Sequence, residues 1–247
     1  MTGLITLDFG NTHATAGIFS LSGKTTTLVK KVPLAELRMY LAQLGYSAHN
    51  AQIVLSDVKP REEELQTFVE EGYLLTRVRE YWRGKKFHGM NVNYADTVGE
   101  DRLITAFYTF KNFKTNCLVI DAGTFVTMDV VTPSGFEGGY IIPGPETYFK
   151  CFEQGENLKN FGLKANADQS LPHETSTAMS GSYSAFAALA RELIEKHQIQ
   201  KVLITGGGST LWEELLADLK AAPVVETHPD LIHSALLYWM TTQIEPL

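Results

Sequence analysis

Cysteine is scarce in this chain of 247 residues: Cys117 and Cys151 are the only two. They follow no C-x-x-C spacing, so neither a disulfide framework nor a cysteine zinc site is expected. The seven histidines form no H-E-x-x-H or comparable ligand pair, which argues against a transition-metal centre. No apolar run approaches the roughly 18 residues that a membrane span needs. The N-terminus lacks the basic stretch, apolar core and cleavage site of a secretory leader. Positive charge is also short, with 21 Lys and Arg against 28 Asp and Glu and a formal net charge of −7, which speaks against a nucleic-acid-binding surface. One dense basic run exists, Arg83, Lys85 and Lys86, with Arg77 and Arg79 just before it. It reads as a solvated loop, with phosphate attraction the lesser alternative. These absences leave no nucleic-acid or membrane partner, and the cytoplasm as the expected location.

What is present is repeated. Ile5-Thr6-Leu7-Asp8-Phe9-Gly10-Asn11-Thr12-His13 is an apolar strand that ends in Asp, then Gly, then a Thr hydroxyl. Val119-Ile120-Asp121-Ala122-Gly123-Thr124 restates it half a chain later. A strand–turn–strand of this kind can present a carboxylate, backbone N–H groups and hydroxyls to a phosphate or a cation. The pair suggests two similar subdomains facing each other across a nucleotide.

Element order supports the duplication. In the first half, strands are expected over 4–9, 14–19, 25–32, 51–55 and 73–78, with helices over 34–44, from Pro60 to Val69, and over 98–113. In the second half, strands are expected over 117–121, 124–131, 136–142, 201–205 and 223–226. Helices are expected there over 145–152, 175–197, 211–219 and 230–242. Each half runs three strands, helix, strand, helix, which argues a mixed α/β sheet covered by helices and present twice. The proposed boundary divides 1–115 from 116–247. The least regular stretches, 80–97 and 155–173, are candidate substrate-proximal loops.

Each motif also has a plain structural explanation. Asn and Gly are common in hairpin turns without chemistry. Thr97 and Glu100 have capping-box spacing, so the acids at the start of the 98–113 helix can serve the helix alone. That role leaves Asp101 and Arg102 without a structural task. The Gly138–Gly144 stretch fits either a strand exit or close packing near a ligand. Thr205-Gly206-Gly207-Gly208-Ser209 follows an apolar strand and precedes a helix, where glycines let the backbone approach a nucleotide. It is neither a Walker loop nor a dinucleotide fingerprint. His13, beside the first turn, is a solvated histidine or a phosphate contact.

In combination these blocks resemble the type III pantothenate kinases, within the acetate kinase, sugar kinase, Hsp70 and actin superfamily. Asp8–Thr12, Gly99-Glu100-Asp101-Arg102, Asp121–Thr124 with Thr127 and Asp129, and Gly138–Gly144 match in order, and Thr205–Gly207 and Pro229-Asp230-Leu231 also fit. The resemblance implies an actin-like ATPase fold of two ribonuclease-H-like subdomains with a nucleotide cleft between them, and a homodimer that completes the pantothenate pocket. It implies ATP-dependent phosphorylation of pantothenate. Asp101 would be the general base, and Tyr94, Gly99, Glu100, Arg102 and Thr175 (with Thr177 as the alternative) would bind pantothenate. Asp8, Gly10, Asn11, Thr12 and His13 would face the ATP phosphates with Mg²⁺. Thr124 would contact ATP, and Asp121 would bind a monovalent cation, K⁺ or NH₄⁺. The chain departs from the family pattern at Glu100, where a small residue is usual, in the shorter segment after Tyr94, and at Phe125. Those departures motivate an alternative, a non-catalytic relative that binds nucleotide or a protein partner.

Overall fold

The computed structural model describes residues 2–10, 12–22, 25–57, 62–156, 158, 171–219 and 223–243. Contacts divide the chain into two units, Met1–Asn112 with Asp230–Leu247, and Phe113–Pro229.

In the first unit, alternation along β1 (Thr2–Phe9) turns Ile5, Leu7 and Phe9 to one face of a sheet. β2 (Ala14–Ser22) and β3 (Thr25–Pro33) follow antiparallel. After a 3₁₀ turn at Leu34–Glu36 come α1 (Leu37–Leu44), β4 (Ala51–Asp57), α2 (Glu62–Glu70) and β5 (Leu75–Arg77). β4 and β5 join parallel, so the sheet order is β3-β2-β1-β4-β5. Leu37 and Leu41 of α1 and Leu65 and Phe68 of α2 close the core over Ile5, Leu7 and Phe9. The expected helix start at Pro60 lies outside the described residues. A 3₁₀ turn at Val78–Tyr81 leads to the short hairpin of β6 (Lys86–Phe87) and β7 (Met90–Val92), and then to α3 (Glu100–Asn112). The hairpin falls in a stretch read from sequence as a polar loop. Its strands are too short for a periodic signal, yet Phe87, Met90 and Val92 anchor it in the core.

The second unit repeats the plan. β8 (Cys117–Ala122), β9 (Phe125–Thr132) and β10 (Gly135–Pro143) are antiparallel neighbours. α4 (Pro145–Phe152), α5 (Thr175–Tyr183) and α6 (Ala185–Lys196) precede β11 (Lys201–Thr205), which pairs parallel with β8. α7 (Ser209–Leu215) leads to β12 (Val224–Thr227), parallel to β11. Within the seven-stranded second sheet, the run β10-β9-β8-β11-β12 has the same order as the five strands of the first. Two α/β units with the same three-antiparallel, two-parallel order are the ribonuclease-H-like pair of the actin-like ATPase fold. Leu118, Ile120 and Ala122 pack under Ala190, Leu193 and Ile194 of α6 and Trp212 of α7. The single long helix expected over 175–197 is broken at Ser184. Ser182 Oγ donates to Met179 O at 2.7 Å and Ser184 Oγ donates to Gly181 O, side-chain bonds that compete with helix continuity.

The closing helix α8 (Leu231–Gln243) packs on β1, β4 and α3, so it groups with the first unit although sequence order had placed it in the second half. His233 fixes it there. The ring is fully buried, with Nδ1 2.8 Å from Thr6 Oγ1 and Nε2 3.0 Å from Thr15 Oγ1. Thr6 Oγ1 also donates to Gly17 O at 3.3 Å, which assigns the imidazole proton to Nδ1 and leaves Nε2 to accept from Thr15. Burial pushes the His233 pKa down from 6.5 to about 4 and keeps the ring neutral. No helix among the described residues is long and apolar enough to cross a membrane.

Candidate active site

The parallel register of β1 and β4 sets Asp8 beside Ser56 and Phe9 beside Asp57. Both strands thus deliver an acid to the carboxyl edge of the first sheet, where open α/β sheets hold their ligands. After Asp8 the chain reverses through a turn closed by Gly10 N–H donating to His13 O at 3.1 Å. Thr12 and His13 are exposed at its tip, and Asn11 lies outside the described residues.

The start of α3 arrives at the same edge. Gly99 O accepts the first helical bond, from Leu103 N–H at 3.1 Å. A Cβ at residue 99 would overlap the Asp101 carboxylate, so only glycine lets that side chain fold back over the helix start. Asp101 Oδ1 accepts the Arg102 N–H at 2.8 Å. Burial raises the Asp101 pKa, against the lowering effect of the Arg102 N–H and guanidinium. Arg102 is itself buried, its Nη1 donating to Tyr94 Oη at 3.1 Å and its guanidinium lying 4.7 Å from the Tyr94 ring centroid. Glu100 is 5% exposed. Its carboxylate accepts the Asp57 N–H at 3.3 Å and lies 3.6 Å from Arg79 Nε. Glu100 therefore reaches to β4 and the Val78–Tyr81 turn rather than only back along its own helix as a capping box would. Burial pushes its pKa up to about 7, against the bonds from Asp57 and the charge of Arg79.

In the second unit, Asp121 pairs in register with Thr127 of β9 and Thr205 of β11. Asp8 has the matching neighbours Thr15 and Ser56 in the first. Gly206, with φ +87°, turns the chain directly over β8, where a Cβ would stand 2.7 Å from Ala122 O and Asp121 Oδ1. Gly208 N–H donates to Ala122 O at 2.8 Å, while a Cβ on Gly207 would meet open space. The glycine run is thus packed on one side by the Asp121 strand end and is approachable on the other. Thr124 is exposed, and its carbonyl accepts from Gly144 N–H and Thr147 Oγ1, both at 2.9 Å. Thr175 is exposed at the first position of α5. Thr177 Oγ1 instead donates to Glu174 O at 3.0 Å.

The first unit therefore gathers Asp8, Asp101, Arg102 and Tyr94 with Ser56, Asp57 and Arg79, three residues the sequence reading had not selected. Asp57 carried a usable signal, since it ends an apolar strand just as Asp8 does. Arg79 was hidden inside the basic run. That run disperses: Arg77 pairs with Glu62 at 3.2 Å, and Arg83 donates to Trp82 O at 3.0 Å.

Residues 4–196 match the family described as type III pantothenate kinase. A type III pantothenate kinase from Geobacter sulfurreducens is 26% identical over 255 residues, covering 95% of this chain and 98% of that one. One from Desulfosudis oleivorans is 25% identical over 238 residues, covering 88% and 92%. One from Thermosipho africanus is 30% identical over 149 residues, covering 57% and 58%. Among solved structures, a Campylobacter jejuni protein provisionally assigned as a Baf family transcriptional activator superposes with a TM-score of 0.62 at 18% identity, covering 96% and 97%. A Sinorhizobium meliloti protein provisionally assigned as a 2-dehydro-3-deoxygalactonokinase gives 0.60 at 13% identity, covering 99% and 100%. At such identities these structural likenesses speak for the fold. With the duplicated sheets, the Gly99–Arg102 block at the carboxyl edge and the matched span of sequence, this chain belongs to the type III pantothenate kinase family.

Proposed function

We propose that this chain transfers the γ-phosphoryl group of ATP to the primary hydroxyl of pantothenate, the first step of coenzyme A synthesis. One observation carries the reading: a carboxyl with a raised pKa, Asp101, stands next to the buried guanidinium of Arg102 at the start of α3. In the step, the hydroxyl oxygen bonds to the γ-phosphorus and the bond from that phosphorus to the β,γ-bridging oxygen breaks. ADP departs with the bridging oxygen, and the hydroxyl proton passes to Asp101. Burial strengthens Asp101 as the acceptor of that proton. Arg102, steadied by Tyr94, offers a planar fork that suits the pantothenate carboxylate. Gly99 would border the same substrate, and the Asp8–His13 turn would contact the nucleotide.

The donor set also bears on the ions. Among the described residues no three His, Cys, Asp or Glu side chains gather to hold a metal. Single hard carboxylates at Asp8 and Asp121 suit ions that draw their remaining ligands from water and phosphate. Mg²⁺ would accompany ATP at Asp8, and K⁺ or NH₄⁺ would sit at Asp121. Bound with ATP, Mg²⁺ supplies neutralisation of the phosphate charge. A homodimer belongs to the same reading, supported by exposed apolar surface at Phe125, Tyr140 and Ile141.

Coupled ADP release with pantothenate, sugars and acetate, each with and without K⁺, tests the proposal. Turnover confined to pantothenate and raised by K⁺ is the expected outcome. Nucleotide binding without turnover on any acceptor would replace it with the non-catalytic reading, and turnover confined to another acceptor would overturn the substrate.

A further inference from the structure

Arg79 occupies an unfavourable place for an ordinary surface cation. It reaches the N-terminal end of α3, where aligned peptide dipoles disfavour positive charge. There it donates from Nη1 to Asp96 O at 3.0 Å and from Nη2 to Val98 O at 2.7 Å, with Nε 3.6 Å from Glu100 Oε1. One planar group thus spans three residues of the segment that leads into Asp101. The Trp82 ring lies against the guanidinium, with its centroid 5.3 Å away, and restricts its rotation. Glu100 continues the connection by accepting the Asp57 N–H at 3.3 Å, which ties the helix start to the end of β4.

From this geometry we infer that Arg79 and Glu100 are positioning residues that brace the irregular segment 94–99 against β4 and thereby fix Asp101 and Arg102 for phosphoryl transfer. The inference rests on the reading of Asp101 as the base. Asp101 follows Glu100 directly, and Tyr94, whose ring lies against Arg102, begins the braced segment. Displacement of about 1 Å in such a site can cost on the order of a hundredfold in rate, so residues that hold the segment in place can govern turnover. The charged groups facing Glu100 are Arg79 and Asp57, with Asp101 and Arg102 on its own helix. Burying an acid in this position is a local cost, which is expected where a functional geometry is being held.

The test compares the wild-type chain with Arg79→Lys and Arg79→Met. Lysine keeps the charge, but one ammonium cannot span two carbonyls and a carboxylate as the fork does. Both variants should lower kcat by about tenfold to a hundredfold while KM for ATP stays within about twofold. Amide hydrogen exchange over 94–103 should accelerate while β8 and β11 keep their wild-type rates. Full turnover in Arg79→Lys would reduce the role to charge and overturn the brace. Unchanged exchange over 94–103, or an equal acceleration in both units, would overturn it as well. Should the wild-type chain release no ADP with pantothenate, the functional reading fails by itself, and the exchange measurement alone decides whether Arg79 and Glu100 hold the segment.

Discussion

Replacing Glu100 with Gln should make the chain more stable in mild alkali and leave it almost unchanged in mild acid. In the fold the Glu100 carboxyl is pushed from 4.5 up to about 7, chiefly by burial, and the Asp57 N–H and Arg79 recover part of that cost. Below pH 4.5 both the folded and the unfolded chain hold the proton. Between 4.5 and 7 only the folded chain holds it, so stability falls as the pH rises through this window and stays lower above it. At about 1.4 kcal/mol per pH unit, ionised Glu100 costs the folded chain about 3 kcal/mol by pH 8. Gln is nearly the same shape, keeps a carbonyl oxygen for the Asp57 N–H, and does not titrate. The stability difference between variant and wild type should therefore grow by about 2.5 kcal/mol from pH 5 to pH 8. Urea unfolding of both proteins at four pH values across that range measures it, with equal m-values as the control. Differences that stay constant with pH, to within about 0.5 kcal/mol, would refute the buried-acid account. If the brace also holds, the stabilised variant turns over more slowly, the usual exchange of activity for stability.

Asp101→Asn should lower kcat by about 10²- to 10⁴-fold while ATP still binds, as read by nucleotide titration alongside the coupled assay. His233 has the opposite pH slope to Glu100. Its pKa is depressed from 6.5 to about 4, so only the unfolded chain takes up that proton as pH falls through the window, and stability drops by about 3 kcal/mol. His233→Gln should flatten this acid limb in urea unfolding from pH 7 to pH 4. Gly206→Ala should destabilise the second unit by about 1–3 kcal/mol, because the left-handed backbone and the contact with Ala122 both oppose a side chain; a shift of the thermal midpoint reports it.

The sequence carried the duplicated plan because its signals are local. Apolar alternation marks β1, and an acid followed by glycine marks the ends of β1 and β8. The Gly99–Arg102 block was legible as a helix start with residues to spare. Arg79 was not, since its task depends on backbone carbonyls at Asp96 and Val98, and carbonyl positions leave no trace in residue identity. Glu100 had the right spacing for a cap, and tertiary partners on β4 and the preceding turn claimed its carboxylate instead. Ser184 stood inside an unbroken helical pattern, and the break there follows from serine hydroxyls bonding back to carbonyls.

The Thr6–His233 bond joins residues 227 positions apart. As the polypeptide leaves the ribosome, the second sheet has every strand it needs before α8 exists. The first sheet has its strands earlier, but α8, which packs on its β1 and β4, follows the last strand of the second. The order of synthesis and the order of completion are thus inverted for the two halves.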